Sequence, residues 1–115
     1  MDSRRSIIGR CLVVALAAGA FAAPAAQSQT RFSAEAIEQG REQYMRTCRG
    51  CHGVNMVNAG TSAYDLRRFP VDDPDRFFNS VSNGKSNMPA FKDSLSPEQL
   101  KLVWAYVGSR GGKEP

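Results

Sequence analysis

The stretch CRGCH, Cys48 to His52, constrains this chain more than any other feature, because it sets the only histidine beside two of the three cysteines. Two thiols separated by two residues and followed at once by an imidazole form the attachment pattern of a c-type haem. The thiols add across two porphyrin vinyl groups, and the imidazole ligates iron from one face. The spacing has a geometric basis: two intervening residues let both sulfurs reach neighbouring vinyls, and the next residue falls beneath the metal. Two other chemistries share the cysteine pattern. A thioredoxin-like disulfide belongs to a βαβ context, whereas the residues before Cys48 read as a helix. Zinc wants a third or fourth strong ligand, and residues 26–115 hold no other His or Cys. Covalent haem, one per chain, is the preferred reading, with redox disulfide and metal as its alternatives.

A cofactor at the centre suits the length. A chain of 115 residues has room for one small domain, and domains of that size often draw part of their stability from staples, metals or cofactors. Part of the chain reads as a leader. Arg4, Arg5 and Arg10 precede an uncharged run with the core LVVALAAGAFAA, followed by Ala23-Pro24-Ala25; these are the three regions of a secretory signal. Cleavage is expected after about residue 25, leaving residues 26–115 as the domain. An uncleaved anchor is the competing reading, but the apolar run falls short of the ~20 residues that span a bilayer. The mature chain is therefore expected to be exported, periplasmic and without stable membrane insertion, with Cys11 incidental to the leader.

Removal of residues 1–25 takes three Arg and one Asp from the 15 basic and 11 acidic residues, leaving 12 and 10, a formal charge of +2. No basic stripe of the kind that binds nucleic acid remains.

Three helical patterns follow, with little that reads as a strand. Ser33 caps a helix in which Ile37, Gly40, Tyr44 and Cys48 share one face. Gly40 is costly inside a helix unless something approaches closely there, so it reads as a packing contact. Asp73 and Pro74 then start a short helix carrying Phe77, Phe78 and Val81 to Gly84. Ser96, Pro97 and Gln99 start a last helix through LKLVWAYV. The section VNMVNAGTSAYDLRRFP between the first two reads as irregular chain.

An iron bound by one histidine needs a second ligand or an open site. Met88 is the candidate: it lies 36 residues beyond His52, far enough to reach the other haem face, and Pro89 stiffens its loop. Met56, four residues from His52, is expected on the histidine side, and Met45 in packing. His/Met ligation saturates the iron and raises its potential, favouring electron transfer over oxygen or peroxide chemistry.

At this point the chain resembles the small class I cytochromes c over nearly all of residues 26–115. The helix with Gly40, Tyr44 and Cys48, the site CRGCH with Gly53, the loop NMPAF and the terminal LVWAYV carry the likeness. The resemblance implies an all-α fold of three to four helices around one covalently attached haem. Its first and last helices cross, with Gly40 and Tyr44 against Val103 and Tyr106. The short segment between Gly53 and Pro70 departs from larger members and leaves open which carbonyl receives the His52 ring N–H.

The run YDLRRFPVDDPDRFFNSVSNGKSNMPAF is similar, more narrowly, to periplasmic cytochromes that accept electrons from PQQ-dependent methanol or other alcohol dehydrogenases. The expected activity is thus one-electron shuttling by a monomer, from a dehydrogenase to an oxidase or another cytochrome, with no catalysis of its own. The alternative is a haem enzyme such as a peroxidase, or a ligand sensor, with an open iron position. It would usually need a distal acid–base group, and the sole histidine is already used. Arg67 and Arg68 are candidates for pairing a haem propionate, or else solvated surface charges. Phe69, Phe77, Phe78 and Phe91 are candidate pocket walls. Lys85 and Lys92 flank the Met88 loop and are candidates for docking an acidic partner.

Overall fold

A computed structural model describes residues 31–114. The leader expected over residues 1–25 and the first residues of the domain lie outside them. Helix α1, Ala34–Thr47, begins where the Ser33 hydroxyl accepts the Ala36 amide at 3.1 Å, and Glu35 in its first turn complements the positive end. Gly40, Gln43 and Tyr44 are its buried residues.

Helix α4, Pro97–Gly108, has a full capping box. The Gln99 amide donates to Ser96 Oγ at 3.1 Å, and the Ser96 amide donates to Gln99 Oε1 at 2.9 Å. It buries an unbroken run from Val103 to Gly108, because one side packs on α1 and the other on a cluster of aromatic rings. Against α1, a Cβ on Gly40 would overlap the Leu102 carbonyl oxygen. The missing side chain thus sets how closely the two helices cross. The Tyr44 and Tyr106 rings meet across the crossing with centroids 5.0 Å apart, and Gln99 Nε2 donates to Gln43 Oε1 at 3.3 Å. On the other side Trp104 packs at a tilt against Phe77, centroids 4.9 Å apart, and meets Phe69 edge-on at 6.1 Å.

Helix α3, Pro74–Asn83, starts as the sequence predicts, with Asp73 Oδ1 accepting the Arg76 amide at 3.2 Å and proline in the first turn. It ends at Gly84, whose φ of 79° is the left-handed region that a glycine enters without strain. The four helices are accompanied by no strand among the described residues; an isolated antiparallel bridge joins Lys85 and Met88.

Between α1 and α3 the chain is more structured than expected, both before and within the section 54–70 that reads as irregular. A single helical turn α2, Arg49–His52, follows α1 directly, with Cys48 at the junction: its amide donates to the Tyr44 carbonyl and its carbonyl accepts from His52. Two 3-10 turns come next, Val54–Met56 and Leu66–Arg68. The second is capped by Asp65, whose side chain accepts the Arg67 amide at 3.1 Å. Such three-residue turns rest on a few local hydrogen bonds and are too short for an apolar periodicity to announce them.

Candidate functional site

The turn α2 carries the last four residues of CRGCH, and the backbone beyond it is pinned by side-chain donors. Tyr44 Oη donates to the Gly53 carbonyl at 2.7 Å, and Asn58 Nδ2 donates to the His52 carbonyl at 3.0 Å. Gly53 adopts φ 82°, and a Cβ there would overlap the Val57 carbonyl. The chain doubles back tightly on the motif as a result.

His52 is buried, with only 8% of its surface exposed. Its Nδ1 lies 2.8 Å from the Tyr64 carbonyl oxygen. A carbonyl only accepts, so Nδ1 carries the proton and donates, and Nε2 keeps its lone pair for a metal. Tyr64 thus supplies the acceptor that the sequence left open.

His52, Cys48 and Cys51 share a cavity of about 470 Å³ with Met88, a volume within the ~300–1,000 Å³ usual for bound small molecules. Phe69, Phe77, Phe91, Val81, Val103 and Val107 give it an apolar wall. Phe78 is not on that wall and packs instead on Phe77 and Trp104. Both cysteines are free thiols. Burial, and secondarily the neighbouring Cys51, pushes the Cys48 thiol up to about 11. That shift opposes the depressed pKa of a thioredoxin-like redox pair. Among the described residues, no group of three or more His, Cys, Asp and Glu is placed to hold a metal ion by themselves.

Met88 is held by its backbone. Its amide donates to the Lys85 carbonyl at 2.9 Å, the Lys85 amide returns a bond at 3.1 Å, and the Phe91 amide donates to the Val81 carbonyl at 2.9 Å. A Cβ on Gly84 would come within 2.8 Å of the Met88 carbonyl, so the end of α3 and the Met88 loop fit only with glycine between them. Met56 is buried in the core and Met45 packs against it; neither is on the cavity wall.

Arg67 and Arg68 are not brought to the cavity. Arg67 forms a two-pronged pair with Asp65, Nε to Oδ1 at 2.9 Å and Nη2 to Oδ2 at 2.8 Å. The Asp65 carboxyl is held below its ordinary range, first by that hydrogen bond and, least, by the charge of Arg68. Arg68 lines an adjoining polar recess with Asp65, which shares Gly60 and Tyr64 with the cavity. The basic residues on the cavity wall are Arg76 and Lys85. Arg76 was missed in the sequence because it reads there as an ordinary exposed residue in the first turn of a helix. Lys92 is exposed and off the wall.

Residues 35–107 match the family described as cytochrome c oxidase, cbb3-type, subunit III. The chain is 35% identical over 100 residues to cytochrome c6 of Nostoc sp., covering 84% of each chain. It is 35% identical over 78 residues to cytochrome c6 of Gloeothece citriformis, covering 64% of this chain and 71% of the relative. It is also 33% identical over 79 residues to the quinohemoprotein alcohol dehydrogenase ADH IIB of Pseudomonas putida, spanning 66% of this chain and 11% of that enzyme. No solved structure matches.

The chain belongs to the cytochrome c family, as a small class I c-type cytochrome with covalently bound haem c. The residues present fit that group: two free thiols, an imidazole with Nδ1 already engaged, and a thioether border one apolar cavity. The role of the chain is that of a cytochrome c electron carrier.

Proposed function

We propose that the protein is an exported, periplasmic one-electron carrier in which Cys48 and Cys51 hold the haem and His52 and Met88 ligate its iron. The observation that carries this reading is the sharing of one cavity by His52 and Met88, each fixed by its own hydrogen bonds. When bound, haem supplies a single-electron iron couple; the chain supplies its surroundings. The Tyr64 carbonyl orients the imidazole and raises its basicity. The Met88 thioether raises the potential, and the apolar wall keeps water away and disfavours the more highly charged oxidised state.

The donor is a dehydrogenase and the acceptor an oxidase or another cytochrome. Similarity to the quinohemoprotein alcohol dehydrogenases of Pseudomonas putida supports a PQQ-dependent alcohol dehydrogenase as donor. The signal-like leader supports export, and among the described residues no helix is long and apolar enough to cross a membrane.

Visible and near-infrared spectra of the protein purified from the periplasmic fraction test this reading. The expected result is haem that stays with the denatured chain, low-spin iron in both oxidation states, and a methionine–iron charge-transfer band in the oxidised state. Cys48→Ala with Cys51→Ala is expected to give a largely unfolded apo-protein. A colourless double variant with native helix content, or a parent protein with high-spin iron and rapid peroxide turnover, would refute it.

A further inference from the structure

The geometry points to Arg76 as the cation that holds a haem propionate and thereby sets part of the reduction potential. The inference rests on the haem reading above and goes beyond it, because the sequence directs attention to Arg67 and Arg68 instead. Haem carries two carboxylates, and a carboxylate at the edge of an apolar cavity is stabilised by a cation or by hydrogen-bond donors. Asp65 already occupies Arg67 with two hydrogen bonds, and Arg68 stands in the recess beside the same carboxylate, off the cavity wall. The wall itself offers Arg76 and Lys85.

Both residues have bonded backbone, but among the described residues the Arg76 side chain rests against aromatic rings and that of Lys85 does not. The Arg76 amide is bonded to Asp73 at the start of α3. Its guanidinium carbon lies 5.2 Å from the centroid of the Phe69 ring and 5.9 Å from that of Tyr64, both of which also line the cavity. Among the described residues its guanidinium forms no ion pair with a carboxylate. A guanidinium resting against the Phe69 and Tyr64 rings keeps its donors free for a carboxylate and loses little rotamer freedom in forming the pair. Tyr64 has a second role here: its carbonyl orients His52 while its ring supports Arg76, so one loop residue serves both the iron ligand and the cofactor edge.

The test is equilibrium redox titration of the purified holoprotein at about pH 8, where ordinary carboxylates remain ionised. A cation beside haem favours the reduced state, which carries one positive charge fewer. Arg76→Gln is expected to lower the reduced-to-oxidised ratio at a fixed solution potential about tenfold, a shift of ~59 mV for one electron. Arg76→Met keeps contact with the rings, carries the same expectation, and stands in if the Gln variant fails to mature. Arg76→Lys is expected to recover more than half of the shift, whereas Arg67→Gln and Lys85→Gln are expected to move the ratio less than about threefold, ~28 mV on the same scale.

Three outcomes overturn the assignment: a potential unchanged in both Arg76→Gln and Arg76→Met, a shift in Lys85→Gln or Arg67→Gln as large as theirs, or no recovery by Lys. A purely structural role would lower unfolding stability and leave the potential unmoved. Failure of the parent chain to carry covalent haem would instead refute the carrier reading, so the two failures are distinguishable.

Discussion

The hydroxyl of Tyr44 donates to the carbonyl of Gly53 at 2.7 Å, bonding the middle of α1 to the residue that follows CRGCH. Tyr44 is completely buried. Burial above all pushes its phenol above the ordinary 10.0. The neutral phenol is the donor, so its stabilisation is full below the unfolded-state value and is lost as pH rises beyond about 10. Tyr44→Phe is expected to cost about 1–2 kcal/mol at neutral pH, since it leaves the Gly53 carbonyl without that partner. It is also expected to flatten the alkaline fall in stability. Denaturant unfolding of the holoprotein at neutral pH and through the alkaline range measures both, and an alkaline slope equal to the parent's would refute the assignment.

Gly40 tests the helix crossing. An added methyl overlaps the Leu102 backbone carbonyl and crowds Tyr106 Cβ at 3.1 Å; backbone cannot move aside as a side-chain tip does. Gly40→Ala is therefore expected to destabilise by about 3 kcal/mol, the upper end of ordinary overpacking, despite the higher helix propensity of alanine. Gly50→Ala, whose added Cβ meets nothing within 4 Å, is the control and is expected to be near neutral. Equal unfolding midpoints for the two variants would mean that α1 and α4 do not cross at Gly40.

The sequence made legible what rests on periodicity or on a rigid motif. The caps at Ser33, Asp73 and Ser96 and the close-packing glycine at position 40 are local patterns, and CRGCH, with His directly after the second Cys, favours haem over the disulfide or metal that share its cysteines. What stayed hidden depends on tertiary placement. The partner of His52 is a backbone carbonyl twelve residues away, and every residue carries a carbonyl, so composition cannot single out Tyr64. Arg67 looked available to a propionate because the sequence does not show that Asp65, two residues earlier, folds back to grip it. Arg76 gained its place on the cavity wall only when Phe69 and Tyr64 converged beneath it.

Met88, the proposed iron ligand, and Met56, a core residue, are expected to respond differently to truncation. Met88→Ala is expected to open the iron, lower the potential, and allow rapid binding of cyanide or carbon monoxide. Met56, buried in the core at 3% exposure, is expected on truncation to lose about 2–5 kcal/mol of stability with the ligand spectrum intact. Ligand-binding kinetics and unfolding curves of the two variants decide the matter; an exchange of behaviours between them would place the second ligand on the wrong loop.

The last expectation concerns the donor. A shuttle must release its partner quickly, so its interface is small, and charge contributes to encounter rate more than to affinity. Lys85 and Lys92 are both exposed beside the Met88 loop, and Lys92, off the cavity wall, can be altered without touching the haem pocket. Lys92→Gln is expected to slow reduction by an acidic donor about two- to fivefold at low salt, with the reduction potential unchanged and the difference fading within the ionic-strength range where the Debye length falls to ~8 Å. Stopped-flow reduction by purified periplasmic dehydrogenases, starting with a PQQ-dependent alcohol dehydrogenase from the same cell, provides the measurement. Failure with the alcohol dehydrogenase alone removes that donor and leaves the carrier. Failure with every dehydrogenase, together with appreciable peroxide turnover by the native protein, would show that the haem serves catalysis and not transport.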